Sequence, residues 1–328
     1  MPIQITIIGL GQIGASMGLA LATHKNSILR VGHDKKPDVE REASQKGVAD
    51  KMEHNLPNAV RDAKLVVLCI PHSQMRETLE LIAPDLKKGT VVLDTTPIKA
   101  GVQKWAKEIL PDGCHYVGLV PAINPEALHD FQFGLTAAQP DLFSNGIFLV
   151  DAPHGTPEEA VTLVIDFVRL LGAKALLADP IESDGLMSTT HLLPQLVAAS
   201  LLNATIDQPG WQDARKMAGR AYATVTAGLA YQDEIDSLRL SALHNRASVV
   251  HALDVTIAAL RGLRDDIENE NDDGVALRLE SALQGRKRWL SERMSADWAK
   301  SQETEISDVP SFSERLFGGF FVKKPRDK

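Results

Sequence analysis

PIQITIIGLGQIG, residues 2–14, is the stretch on which the reading of this chain turns. Ile3, Ile5, Ile7 and Ile8 form a short β-branched run. It is too brief for a helix and suits a strand buried on both faces. Gly9, Gly11 and Gly14 follow in the spacing G-x-G-x-x-G, and residues 15–22 are small or apolar and read as a helix. In such a strand–turn–helix unit the first glycine permits a tight turn and the second lets a pyrophosphate approach the backbone. The third lets the helix lie close to the strand. The helix N-terminus presents free N–H groups and partial positive charge to the phosphates.

A glycine triplet alone is a weak signal, and its surroundings strengthen it. A second apolar run, 28–31, leads through Gly32 and His33 to Asp34, twenty residues after Gly14. A carboxylate there can bond both ribose hydroxyls of an adenosine and repels a 2′-phosphate, so NAD is expected as cofactor over NADP. Lys35 and Lys36 follow directly and leave NADP open. Gly9, Gly11, Gln12, Ile13, Gly14 and Asp34 are the expected cofactor contacts.

Composition narrows the rest. The chain has 328 residues, enough for about two domains and a large core. Hydrophobic residues make up 44% and charged residues 24%, ordinary for a globular protein, and the formal charge of −8 argues against a general nucleic-acid binder. Cys69 and Cys114 have no zinc or redox spacing, and no metal motif is present. No eighteen-residue apolar stretch or leader pattern is seen, so no membrane contact and a cytoplasmic setting are expected.

The first half alternates strands with helices. Strands are expected at 65–70, 90–93, 115–118, 146–150 and 175–177, and helices at 37–46, 58–63, 75–86, 100–109 and 157–171. Nearly all-apolar strands in this alternation predict a parallel sheet covered on both faces: an α/β, Rossmann-type doubly wound fold. Ligands then sit beyond the strand C-termini, around Gly11, Asp34, Pro71, His72, Asp94, Thr95 and the loop after Gly118. Pro71 and Asp94 join the expected cofactor contacts.

The period changes near residue 180. Helices are expected at 184–204, 215–230, 232–264 (as one or two) and 275–294. Residues 1–178 are thus expected as a dinucleotide-binding domain and 179–328 as an all-helical substrate and dimerisation domain. Leu243, Ala247, Val250, Leu253, Ile257 and Leu260 recur at helical steps and, with an aromatic tail at 312–321, predict a homodimer. The acidic run 268–273 reads as a solvated loop.

Several motifs resemble those of the prephenate and arogenate dehydrogenases of tyrosine biosynthesis. IIGLGQIGASMGLAL is similar to that family's GLGLIGGSLALAL, VGHD to its second strand, and LVVLCIP to its fourth-strand segment. TVVLDTTPIK, with Asp94 and Lys99, resembles VVTDVGSVK, and YVGLVPAINPEA resembles FVGGHPMAGSE with Gly118, Pro121 and Glu126 in register. THLLPQ resembles SHLPH, and Asn245 matches an asparagine of the helical half. The resemblance spans roughly residues 3–295. It implies NAD-dependent oxidation and decarboxylation of a small carboxylate, with a histidine taking the proton of the substrate's hydroxyl.

The substrate side departs from that pattern. The family's proton-accepting histidine position is Val120, its serine is Pro97, and its carboxylate-binding arginine falls on Val225 in GRAYATVT. Valine neither accepts a proton nor donates a hydrogen bond. His191 stands one residue from the family's histidine in SHLPH. On a helix it shares a polar face with Asp184, Ser188 and Gln195, as a catalytic group or as a bonded core histidine. His72, after the Pro71 strand end, is the second catalytic candidate, weighed against a surface loop histidine. Arg220, Arg246, Glu126 and Gln195 are candidate substrate contacts. A β-hydroxyacid dehydrogenase is an alternative that expects a lysine within 184–204, where there is none. A non-catalytic NAD-binding sensor or scaffold is the other.

Overall fold

The computed structural model describes residues 2–130, 132–229 and 235–295. The chain begins with strand β1 (Ile3–Ile8), helix α1 (Gln12–Ala20) and strand β2 (Ile28–His33). Helix α2 (Pro37–Gln45), a two-residue strand β3 (Lys51–Met52) and helix α3 (Leu56–Val60) follow. Then come β4 (Leu65–Leu68), α4 (Met75–Ile82), β5 (Val91–Asp94), α5 (Ala100–Ile109) and β6 (His115–Ala122). Strand β7 (Ile147–Asp151), α6 (Glu158–Leu170) and β8 (Lys174–Ala178) close the sheet.

The eight strands lie in the order β3-β2-β1-β4-β5-β6-β7-β8. All neighbours are parallel except β6 and β7. Alternating side chains serve the two faces. Leu65 and Val67 join Met17 and Phe167 on one side, while Val66 and Leu68 join Leu79 and Val102 on the other. Burial on both faces is why these strands read as unbroken apolar runs.

The expectation of a wholly parallel sheet needs correction at β7. Among the described residues of 123–146 there are two short 3₁₀ turns and no crossover helix, so the chain returns antiparallel to β6. An apolar run carries no information about its direction. Strand β3 escaped notice because two half-exposed residues show no periodicity.

Helices α7 (Pro180–Met187) and α8 (Leu193–Ile206) follow the sheet. They form the helix expected at 184–204, started by Asp179, whose carboxylate accepts the Ile181 N–H at 2.8 Å. Between them Ser188–Leu192 makes a π turn. Pro194 cannot donate to the preceding turn, and the wider turn absorbs the mismatch. In place of the single helix expected at 215–230 there are two short ones, α9 (Trp211–Met217) and α10 (Arg220–Thr226), interrupted at extended Gly219. Helices α11 (Ile235–His244) and α12 (Arg246–Glu268) are the two-in-series alternative for 232–264. The break falls at Asn245, whose amide donates to Asp184 O (2.7 Å) and Ser188 Oγ (2.6 Å). Helix α13 is Asp272–Ser295. The acidic run is the α12–α13 turn, closed by Asn271 accepting the Gly274 N–H at 3.1 Å. Leu243, Val250, Ile257 and Leu260 are exposed on the single chain. The aromatic tail lies outside the described residues.

Candidate active site

Strand order reverses at β1, which has β2 on one side and β4 on the other. The loops leaving β1 and β4 therefore diverge and open a crevice at the strand C-termini. A cleft of about 850 Å³ occupies it, running from Asp34 past Gly11 to His72 and His191.

The glycine turn is shaped by contact. Gly9 has φ +90°, and a Cβ on it would lie 2.3 Å from Cys69 O. A Cβ on Gly14 would lie 2.0 Å from Gly9 O, so α1 sits directly on the turn. A Cβ on Gly11 would meet no protein atom within 4 Å, so the space beside the first turn of α1 is left for a ligand. The first N–H groups of a helix have no acceptor within it, which makes this a fitting cradle for a pyrophosphate.

Asp34 is held in place at the end of β2. Its carboxylate accepts the Leu10 N–H (2.9 Å) and the Lys36 N–H (2.9 Å), and its own N–H donates to Glu40 Oε1 (3.0 Å). Glu40 is buried on α2 and its other oxygen meets His54 Nδ1 at 2.9 Å. Its supporting role was missed; a carboxylate on the buried face of α2 was the only cue. Gly9, Gly11, Ile13, Asp34 and Pro71 border the cleft. Gln12 lies beside it, its amide 3.4 Å from Ala137 O, and Gly14 lies beneath.

Asp94 does not face the cleft, contrary to expectation. It is fully buried; its carboxylate accepts Lys99 Nζ (2.8 Å), Tyr116 OH (2.5 Å) and the Thr96 N–H (2.8 Å). It anchors the loop carrying Thr95 and Thr96, which does border the cleft. Asp184 accepts the Lys99 N–H (2.6 Å) and Ala100 N–H (3.1 Å), capping α5 and tying α7 to the sheet. Asp151 accepts the Ser183 hydroxyl at 2.7 Å. Burial raises the Asp151 pKa to about 6, with Asp184 and Asp94 adding to it against Ser183 and Lys99. Burial also raises Asp184.

At the other end of the cleft lie two imidazoles. His72 is 2% exposed, which overturns its reading as a surface loop residue. Burial, then the neighbouring His244, lowers its pKa to about 4. His191 lies half-buried in the π turn, its pKa also lowered by burial. Gln195 is buried one turn on and donates to His191 O at 2.8 Å, so it supports that turn. The expected polar face is therefore present, with Asp184 and Ser188 given to structure.

The remaining candidates lie elsewhere. Arg220 and Arg246 begin α10 and α12, exposed and away from the cleft lining. Glu126 is exposed, in a 3₁₀ turn where Asn124 accepts its N–H at 3.1 Å. Val120 is buried in β6 opposite Leu149 and does not border the cleft. Ser237 and Ser241 of α11 do border it, and were not singled out as candidates.

Residues 17–177 match the family model for the prephenate dehydrogenase nucleotide-binding domain. Cyclohexadienyl dehydrogenase of Zymomonas mobilis is 27% identical over 273 residues, covering 82% of this chain and 90% of that protein. Prephenate dehydrogenase of Bacillus subtilis is 24% identical, covering 83% of this chain and 72% of its own. Residues 17–177 belong to the prephenate dehydrogenase nucleotide-binding family.

The architecture of the chain agrees with solved structures. Prephenate dehydrogenase from A. aeolicus, in complex with hydroxyphenyl propionate and NAD+, superposes with a TM-score of 0.76 at 19% identity, over 88% of this chain and 98% of that one. Synechocystis arogenate dehydrogenase gives 0.67 at 21%, over 88% and 100%. At these identities the likeness speaks for the fold.

Proposed function

We propose that this chain is an NAD-dependent dehydrogenase of prephenate, arogenate or a closely similar small carboxylate, with a substrate end rebuilt from its own residues. The observation that carries this reading is one continuous cleft joining the glycine cradle and Asp34 to His72 and His191. The names of its relatives supply the substrate class. Bound NAD would supply the acceptor for a hydride. The chain's part is to place the pyrophosphate on the α1 amides and the adenosine ribose on Asp34, which favours NAD over NADP. At the reacting end the half-buried imidazole of His191 is the group fit to take a hydroxyl proton. General-base help of that kind is worth roughly 10²–10⁴-fold. Residues 1–178 serve as the cofactor unit and 179–328 as the substrate and dimerisation unit, active in the cytoplasm. Among the described residues no helix is long and apolar enough to cross a membrane. The exposed apolar stripe of α12 supports a homodimer.

The test is chemical. Purified protein with NAD and prephenate, or NAD and arogenate, should release carbon dioxide and form the aromatic product with reduced cofactor. Val120 and Pro97 favour a second reading, a nucleotide-binding protein without turnover. NAD binding with no product from either substrate would select it.

A further inference from the structure

The two imidazoles of the cleft are not equally open. His72 Nε2 is held by His244 Nδ1 at 3.0 Å and its Nδ1 is sealed from solvent, so that ring serves the structure. His191 borders the same cleft half-buried. Among the described residues no group bonds its ring, and neither ring nitrogen is sealed. Burial alone lowers its pKa, so the ring is neutral near pH 7 and one nitrogen carries a free lone pair.

The backbone under this ring is unusual. In the π turn the Leu193 N–H reaches Ser188 O, five residues back instead of four, so the turn holds one residue more than an α-helix would. THLLPQ likewise has one residue more between histidine and proline than the SHLPH motif it resembles. An α-helix turns about 100° per residue, so an extra residue left unabsorbed would swing His191 that far relative to α8. The turn is fastened from both sides. Leu192, 1% exposed, packs with Ile98, Leu238 and Val249. From outside the helix, Asn245 donates through one amide nitrogen to Asp184 O and Ser188 Oγ, and the Ser188 hydroxyl donates to Asp184 O at 2.8 Å. Ser188 is the residue whose carbonyl closes the π turn. Asn245 itself does not border the cleft.

We propose that the π turn is the mount of the proton acceptor: His191 takes the substrate's hydroxyl proton, and Asn245 is the positioning residue that fixes its aim. This rests on the dehydrogenase reading above. As hydride leaves carbon for NAD, the substrate's O–H bond breaks. Its proton bonds to the imidazole lone pair, and its electron pair becomes the second bond of a carbonyl. When the bond to the carboxylate carbon breaks and carbon dioxide departs, that electron pair enters the ring. The carbonyl oxygen then takes the proton back from His191 as a phenol. The imidazole ends neutral and no proton has to leave the cleft. A half-buried ring with an open nitrogen suits both transfers, and its burial favours giving the proton up again.

A double-variant cycle in the full chain tests it, with NAD affinity measured for each protein as a check on folding. His191→Gln should lower kcat by about 10²–10⁴-fold. Asn245→Ala should lower kcat by about 10- to 100-fold with NAD affinity unchanged, because a misplacement of about 1 Å costs that much. In the His191→Gln background the same Asn245→Ala change should cost less than about twofold, since the group it aims is gone. Ser188→Ala, which removes one of the two acceptors of Asn245, should repeat the pattern more weakly and decides the matter should Asn245→Ala fail to fold. His191→Gln turnover within about twofold of the parent would overturn the acceptor. An equal cost of Asn245→Ala in both backgrounds would overturn the positioning role. A parent without turnover on prephenate or arogenate sinks the dehydrogenase reading and the acceptor with it, and histidine NMR then judges the mount alone. The His191 pKa should rise toward the ordinary imidazole value in Asn245→Ala as the turn opens; an unchanged titration would refute the clamp.

Discussion

Gly11 and Gly14 stand three residues apart, and the structure assigns opposite consequences to adding a methyl group at each. A Cβ on Gly11 meets nothing within 4 Å, and its φ of −72° is open to any residue. Gly11→Ala should therefore fold. As the N-cap of α1 it should lose at most about 1 kcal/mol, a shift of a few degrees in Tm. The methyl group would stand where a phosphate must approach. Losing one hydrogen bond from a backbone N–H to a charged oxygen costs about 1.5–3 kcal/mol, or about 10- to 150-fold in Kd. Gly14→Ala instead drives its Cβ to 2.0 Å from Gly9 O, so the strand–helix contact itself must open. Forced overpacking of this kind costs about 1–3 kcal/mol or more, and the loss should appear in thermal unfolding without any ligand. Calorimetric titration with NAD beside thermal melts of each variant separates the two. A Gly11→Ala protein that binds NAD within about twofold of the parent would refute the reasoning.

Other consequences follow from single groups. Asp34→Ala should weaken NAD and relieve repulsion of a 2′-phosphate, shifting the NAD-to-NADP affinity ratio at least about tenfold toward NADP; an unchanged ratio in side-by-side titrations would count against Asp34. Asp151 has its folded pKa raised from 3.8 to about 6, so the native state holds its proton more tightly than the unfolded chain. Its favourable contribution is present below about pH 4 and is lost as pH rises through 6, a swing of roughly 3 kcal/mol. Asp151→Asn should thus gain stability relative to the parent in urea melts at pH 8 compared with pH 4, and a pH-independent difference would contradict it. Arg30 reaches Asp50 through Nη2 at 2.7 Å and the buried Gly18 O through Nη1 at 2.7 Å, while Asp50 itself stays open to solvent. Arg30→Met should cost about 1–3 kcal/mol, mainly by leaving the buried Gly18 carbonyl without its donor, read from the urea midpoint. The exposed stripe on α12 predicts a dimer in sedimentation at micromolar concentration, where a monomer would be the contrary result.

What could be read from the residues is what local rules govern. The Ile3–Ile8 run, the glycine spacing and the placing of Asp34 each depend on neighbours in the chain, and each lies where expected. The direction of β7 does not, because Phe148 and Val150 would be equally apolar in either orientation. His72 looked like a loop residue because its cover, His244, is contributed 172 residues later. Asp94 looked available to a ligand because nothing local shows that Lys99 and Tyr116 turn inward onto it. The π turn at His191 had a cue in Pro194, but a proline marks a disturbance without saying how the helix will absorb it. Arg220 and Arg246 offer charge alone as a signal, and charge says nothing of which way a helix faces.

The most direct test is a crystal of the complete chain soaked with NAD. The pyrophosphate should rest against Gly11 and the first turn of α1, with the adenosine ribose on Asp34. The nicotinamide should lie at the end of the cleft bordered by His72 and Thr95. A dinucleotide bound elsewhere, or a cleft that stays empty at saturating NAD, would contradict the account.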